Sequence, residues 1–187
     1  MSKFYKVIFG LLILSTLLLS GCSQGGTDKV PESEPAGEAS AEPSAPQITF
    51  EGTDLEGNRV SSDIFAQSKL TMVNVWATSC GPCLREMPDL GELAAEYDPT
   101  QFQIIGVVSD VMEGDDQAQV ESLVQQTGAN YPHLLANDSI YRTLLAYVSG
   151  VPTTFFIDEN GTALGYVTGA REKSVWENLI NELLEEQ

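Results

Sequence analysis

LTMVNVWATSCGPCLREMP, residues Leu70 to Pro88, is the stretch whose reading decides the fold. It opens as a near-continuous apolar run, Leu70–Trp76, rich in β-branched side chains, which predicts a buried central strand. Thr78 and Ser79 follow, then Cys80–Gly81–Pro82–Cys83. Beyond them Leu84, Met87, Leu90, Leu93 and Ala94 are spaced to form one helical face. Cys80 is thus placed where a strand ends and a helix begins. The free amides and dipole of a helix N-terminus favour negative charge, and so lower the pKa of a thiol set there. Cys80 is the expected nucleophile; Cys83, one turn in, can close a disulfide with it.

Totals narrow the chemistry. The chain has 187 residues, a formal charge of −18, and nine basic residues against 27 acidic ones. No basic patch could neutralise phosphates, so nucleic acid is not an expected partner. Cysteines are three, Cys22, Cys80 and Cys83, and there is one histidine, His133. That is too few for a disulfide framework, and Cys80, Cys83 and His133 cannot complete a structural zinc site. Leu84 after Cys83 departs from the c-type haem attachment pattern. The Cys80–Cys83 pair is therefore read as redox-active, with no metal and no organic cofactor.

Residues 1–22 read as an export signal. Lys3 and Lys6 precede an apolar core, Val7–Leu19, that is short for a membrane span. Leu19–Ser20–Gly21–Cys22 resembles the bacterial lipobox, which implies a lipid anchor on Cys22; an ordinary signal peptide with a chance cysteine is the competing reading. Residues 23–46, rich in Gly, Ser, Pro, Ala and Glu, are expected to be a disordered acidic tether. The folded domain is expected over 47–187. Ile48–Phe50 and Asn58–Ser61 flank Glu56–Gly57 as a hairpin, and Asp63 could cap a short turn. Then come the strand Leu70–Trp76, a helix from Cys80 to about Tyr97 that Pro88 should kink, a strand Phe102–Ser109, a helix within Asp115–Thr127 and a short helix Ser139–Tyr147. Thr153–Asp158 and Thr162–Val167 make a hairpin around Asn160–Gly161, and a closing helix carries Val175, Trp176, Leu179, Ile180, Leu183 and Leu184. The order implies one α/β domain whose central mixed sheet is flanked by helices. His133, in YPHLL, is placed at a strand edge as a surface or satisfied core residue.

WATSCGPC followed by GVPTTFFID resembles the thioredoxin fold, and more narrowly the membrane-anchored TlpA/ResA-like thiol-disulfide oxidoreductases. The resemblance covers roughly residues 47–187. It rests on Trp76 four residues before Cys80, the CGPC pair, Pro88 eight residues after Cys80, and Val151–Pro152 before a strand. It implies a thioredoxin-like fold with an N-terminal β-hairpin extension, and a cis peptide bond at Pro152 beside the disulfide, leaving the Val151 backbone free to pair with a substrate chain. It places Glu86 near the active site, where the carboxyl, if buried with a raised pKa, could relay the proton of Cys83; an exposed helix glutamate is the competing reading. Trp76, Gly81, Pro82 and Val151 are expected to support the site. Two positions depart from cytosolic thioredoxins: Asn74 stands where they carry a buried aspartate, and Ser79 where they carry a tryptophan.

The mechanism implied is dithiol exchange through Cys80 and Cys83, reducing disulfides of exported proteins such as apocytochrome c or methionine sulfoxide reductase. A CcdA/DsbD-type membrane protein would return the electrons, and the chain would sit lipid-anchored on the extracytoplasmic face of the cell membrane. Three rivals differ in class. An oxidase would introduce disulfides, but such enzymes resemble CPHC rather than CGPC. A thiol peroxidase of peroxiredoxin type would need P-x-x-x-T/S-x-x-C, and Val73 stands seven residues before Cys80. A non-catalytic binding lipoprotein would keep its function in Cys80→Ala.

Overall fold

The computed structural model describes residues 47–186. The leader, Cys22 and the acidic linker lie outside the described residues. A hairpin of β1 (Glu51–Thr53) and β2 (Arg59–Ser61) leads to a 3-10 helix, Ser62–Gln67. Then follow β3 (Leu70–Trp76), α1 (Gly81–Glu96), β4 (Phe102–Met112), α2 (Ala118–Thr127), β5 (His133–Ala136) and α3 (Asp138–Thr143). A 3-10 turn at Leu145–Tyr147, β6 (Thr153–Asp158), β7 (Ala163–Thr168) and α4 (Lys173–Glu185) complete the domain.

The main sheet has the order β5-β4-β3-β6-β7. β3 pairs parallel with β4 and antiparallel with β6; β5 is parallel to β4, and β7 antiparallel to β6. All seven residues of the central β3 are buried. Alternation along β3 divides the core in two. Leu70, Met72 and Trp76 pack with Met87, Leu90 and Leu93 of α1 and with Trp176 and Ile180 of α4. Val73 and Val75 pack on the other face with Ile105, Val107, Phe155, Ile157 and Ile140. Asn74, in step with Met72 and Trp76, therefore faces α1 and α4, a polar residue on an apolar face.

The structure is thioredoxin-like, with the mixed sheet and N-terminal hairpin that the sequence predicts. Several boundaries move. The hairpin's first strand is Glu51–Thr53, not Ile48–Phe50: the Ile48 N–H donates instead to the Gly161 carbonyl at 2.7 Å, and buried Phe50 lies edge-on to Phe65 with ring centroids 5.7 Å apart. Ser61, not Asp63, caps the 3-10 helix, its side chain accepting from the Asp63 N–H. β4 runs on to Met112, and α2 starts at Ala118, after Asp115 and Asp116 have accepted backbone N–H groups of Met112 and Ala118. β5 is a full strand of the sheet where the sequence suggested only an edge at His133. Pro88 lies inside α1, where the sequence placed it.

Candidate active site

β3 ends at Trp76 and delivers a short loop, Ala77–Ser79, to the start of α1. Two contacts brace that loop from the neighbouring parallel strand. Ser109 Oγ donates to the Trp76 carbonyl at 2.9 Å. Asp110 takes the Thr78 N–H at 2.9–3.0 Å and its hydroxyl at 2.8 Å. Trp76 is level with Val108 in the parallel register, so Ser109 and Asp110 fall beside the loop that carries the cysteines. Neither was singled out from the sequence. Their signal is positional: polar residues at the C-terminal end of a strand parallel to the one feeding the site.

Cys80 is the N-cap of α1, and its Sγ accepts the Cys83 N–H at 3.2 Å. It is closed in a disulfide with Cys83, their Cα atoms 5.3 Å apart. The two sulfurs differ in access: Cys80 keeps 9 % of its surface, Cys83 none. Gly81 and Pro82, between them, are exposed. A thiolate at Cys80 would retain the same helix N–H as a donor, which is the physical route to a lowered thiol pKa.

Glu86, one turn beyond Cys83, is buried at 3 % exposure. Asn74 Nδ2 donates to its Oε1 at 3.2 Å, and the Arg171 backbone N–H to its Oε2 at 3.1 Å. Burial pushes the carboxyl above its ordinary pKa; the Arg171 N–H, the Asn74 amide, the Trp176 indole edge and the Arg171 charge pull it back part of the way. Asn74 also donates to Thr154 Oγ1 at 3.1 Å. Three buried polar atoms among the described residues lack hydrogen-bond partners: Asn74 Oδ1, Tyr131 Oη and Trp176 Nε1. All three residues bear on Glu86: Asn74 by a hydrogen bond, Trp176 by its indole edge, Tyr131 through the carboxylate's charge. Glu86 also lines a cleft of about 430 Å³ with Pro82, Arg85, Asp89 and Arg171, which gives the buried carboxyl a way to solvent.

The peptide bond between Val151 and Pro152 is cis. Thr153 pairs with Val75, so buried Pro152 and half-buried Val151 stand at the end of β3 from which the cysteine loop departs. The structure places Trp76, Cys80, Cys83, Glu86 and Pro152 at one end of the sheet. His133 is a satisfied core residue, one of the two readings of the sequence, its Nδ1 accepting the Trp76 Nε1–H at 3.2 Å and its Nε2 donating to the Ala129 carbonyl at 3.0 Å. It supports the tryptophan from behind. The loop Thr168–Arg171, which supplies a donor to Glu86, was not visible in the sequence. No three His, Cys, Asp or Glu side chains among the described residues gather to hold a metal ion.

The profile of the AhpC/TSA family matches residues 43–163. The thiol-disulfide oxidoreductase ResA of Bacillus thuringiensis (strain Al Hakam) is 30 % identical over 136 residues, 72 % of this chain and 74 % of that protein. Among solved structures, the thioredoxin-family thiol:disulfide interchange protein of Chlorobium tepidum TLS superposes with a TM-score of 0.65 at 26 % identity, covering 78 % of this chain and 99 % of that one. The exposed lipoprotein thioredoxin of Streptococcus pneumoniae strain TIGR4 gives a TM-score of 0.57 at 25 % identity, covering 72 % and 98 %. With a redox-capable cysteine pair on a thioredoxin-like sheet, this chain belongs to the AhpC/TSA family, and within it to the ResA-type thiol-disulfide oxidoreductases.

Proposed function

We propose that this oxidoreductase reduces disulfides of exported proteins on the extracytoplasmic side of the membrane, held there by lipid on Cys22. The observation that carries the site assignment is Cys80 Sγ against the first turn of α1, with the buried Glu86 carboxyl one turn past Cys83. The Cys80 thiolate attacks a sulfur of the partner's disulfide; that S–S bond breaks and one partner thiolate leaves. Glu86 takes the proton of Cys83, whose thiolate then attacks Cys80 Sγ. The Cys80–Cys83 disulfide forms, the second partner sulfur leaves as thiolate, and two electrons have passed to the partner. Pro152 and the Val151 backbone receive the substrate chain beside the cysteines, while Trp76, Gly81 and Pro82 shape the turn.

Exported apocytochrome c and methionine sulfoxide reductase fit as substrates, and a CcdA/DsbD-type membrane protein as the source of electrons. The lipoprotein reading accounts for the third cysteine, and the pneumococcal structural neighbour is itself described as an exposed lipoprotein thioredoxin. Mass spectrometry of the Cys22 peptide, intact and after deacylation, tests the anchor. The direction of electron flow is tested by equilibrating the Cys80–Cys83 pair in thiol redox buffers at pH 7. A potential near about −270 mV, as in thioredoxin, is expected; one near about −120 mV would make the protein an oxidase. Consumption of hydrogen peroxide without a disulfide partner would favour the peroxidase reading instead.

A further inference from the structure

We propose that Arg171 is a positioning residue of the redox site, its guanidinium clamping one short loop so that the loop holds Pro152 on one side and Glu86 on the other. The proposal rests on the reading of Glu86 as proton acceptor for Cys83. The loop runs from the end of β7 to the start of α4. At its near end the Gly169 N–H donates to the Pro152 carbonyl at 2.8 Å. At its far end the Arg171 N–H donates to Glu86 Oε2 at 3.1 Å. Between them the Arg171 side chain folds back over its own loop. Nη1 donates to the carbonyls of Gly169 at 3.0 Å and Ala170 at 2.9 Å, and Nη2 to that of Thr168 at 3.2 Å.

Three consecutive carbonyls turned toward one planar fork is a task for arginine, whose donors lie in a fixed fan; the ammonium of lysine is a compact point charge. Arg171 forms no salt bridge among the described residues, so its hydrogen bonds within the protein go to the loop backbone. Gly169 completes the device. Its φ is +88°, a conformation that L side chains rarely adopt, and a Cβ there would lie 3.2 Å from Arg171 Nη1. One strap thus joins the Pro152 carbonyl to the Glu86 carboxyl.

The charged and titratable groups around Glu86 are Arg171 itself, Tyr131 from the segment before β5, Arg85 and Asp89 of α1, and Glu172 at the N-cap of α4. Of these Arg171 alone both brings positive charge to the carboxyl and donates a hydrogen bond to it. Loosening the strap removes a donor from the carboxylate form, so Glu86 should ionise at higher pH and accept the Cys83 proton at higher pH.

The test uses the full chain in detergent micelles. The alkylation rate of Cys83 is followed against pH by mass spectrometry in a Cys80→Ser background, and amide hydrogen exchange is read at Gly169 and Arg171. Arg171→Gln is expected to move the Cys83 profile upward by roughly half to one pH unit and to speed exchange at both amides. Arg171→Lys, which keeps the charge without the fork, should behave like Arg171→Gln, and Gly169→Ala should shift the profile the same way. Wild-type profile and exchange in Arg171→Gln, or full rescue by lysine, would overturn the clamp. Glu86→Gln separates the two ideas: if it leaves the Cys83 profile unmoved, the relay reading falls, and exchange at Gly169 and Arg171 still decides the strap.

Discussion

Glu86 and His133 are both titratable side chains buried within the same fold, and burial drives both toward neutrality in opposite senses. His133 is held down to about 4 by desolvation, the Ala129 carbonyl opposing. Glu86 is pushed up by desolvation against several donors. The difference lies in what surrounds them. Each ring nitrogen of His133 is spent on a neutral partner, Trp76 and Ala129, and the ring packs edge-on to Trp76 and tilted against Tyr131, with centroids 5.7 and 4.6 Å away. Such a group is a packing element that happens to titrate. Glu86 has donors to both oxygens, unpaired polar atoms around it and a cleft leading out. A buried acid so served can change its proton without dismantling the core.

Removing the cysteines should separate the regions most sharply. Cys80→Ser is expected to reduce protein-disulfide turnover to background, and Cys83→Ser to trap the mixed disulfide on Cys80, seen on non-reducing gels. His133→Gln should retain turnover once folded; its loss would break the contrast. On stability the ranking reverses. His133→Ala strands the Trp76 indole N–H and opens a cavity, and should cost about 3–4 kcal/mol in urea unfolding. Gly106→Ala should cost about 2 kcal/mol, because its Cβ would lie 2.1 Å from the His133 ring. That close approach is why a glycine interrupts the apolar run of β4.

The pH slopes sharpen the comparison further, and their signs are opposite. His133 is neutral in the folded chain down to about 4 but protonates near 6.5 when unfolded. Its stabilising contribution is whole above 6.5 and is lost as pH falls toward 4, by roughly 2–3 kcal/mol. Glu86, raised above 4.5, does the reverse: stability present below 4.5 is lost as pH rises through its folded value. Denaturant midpoints measured from pH 3.5 to 8 should show the first slope vanish in a His133 variant and the second in Glu86→Gln. A Glu86→Gln protein with an unchanged slope would overturn the reading of that carboxyl as one whose pKa burial raises.

Some of this was open to reading in one dimension. The run Leu70–Trp76 is consistent with a buried strand, the spacing from Leu84 onward with an amphipathic helix, and their junction placed Cys80 at a helix N-terminus. β5 escaped because four buried residues carry neither alternation nor length. Ile48 and Phe50 resemble a strand in composition, yet their side chains bury against Phe65 while the pairing falls three residues on. Glu86 was legible as a residue but not as a buried one, since helix periodicity does not say which neighbours close over it.

What sequence determined by itself is local: the strand, the helix, the pair of cysteines and their place at the join follow from side chains a few positions apart. What tertiary structure alone decided is the company these groups keep. Asp110, Gly169 and Arg171 reach the site from positions 27 to 91 residues away from Cys80 and Cys83 in the chain, and nothing in the neighbourhoods of Gly169 and Arg171 announces it. Hydrogen bonds to Thr78, Pro152 and Glu86 form only once parallel strand register and helix docking set those atoms within about 3 Å. That contact, not composition, turns a cysteine pair into a site with a held proton acceptor.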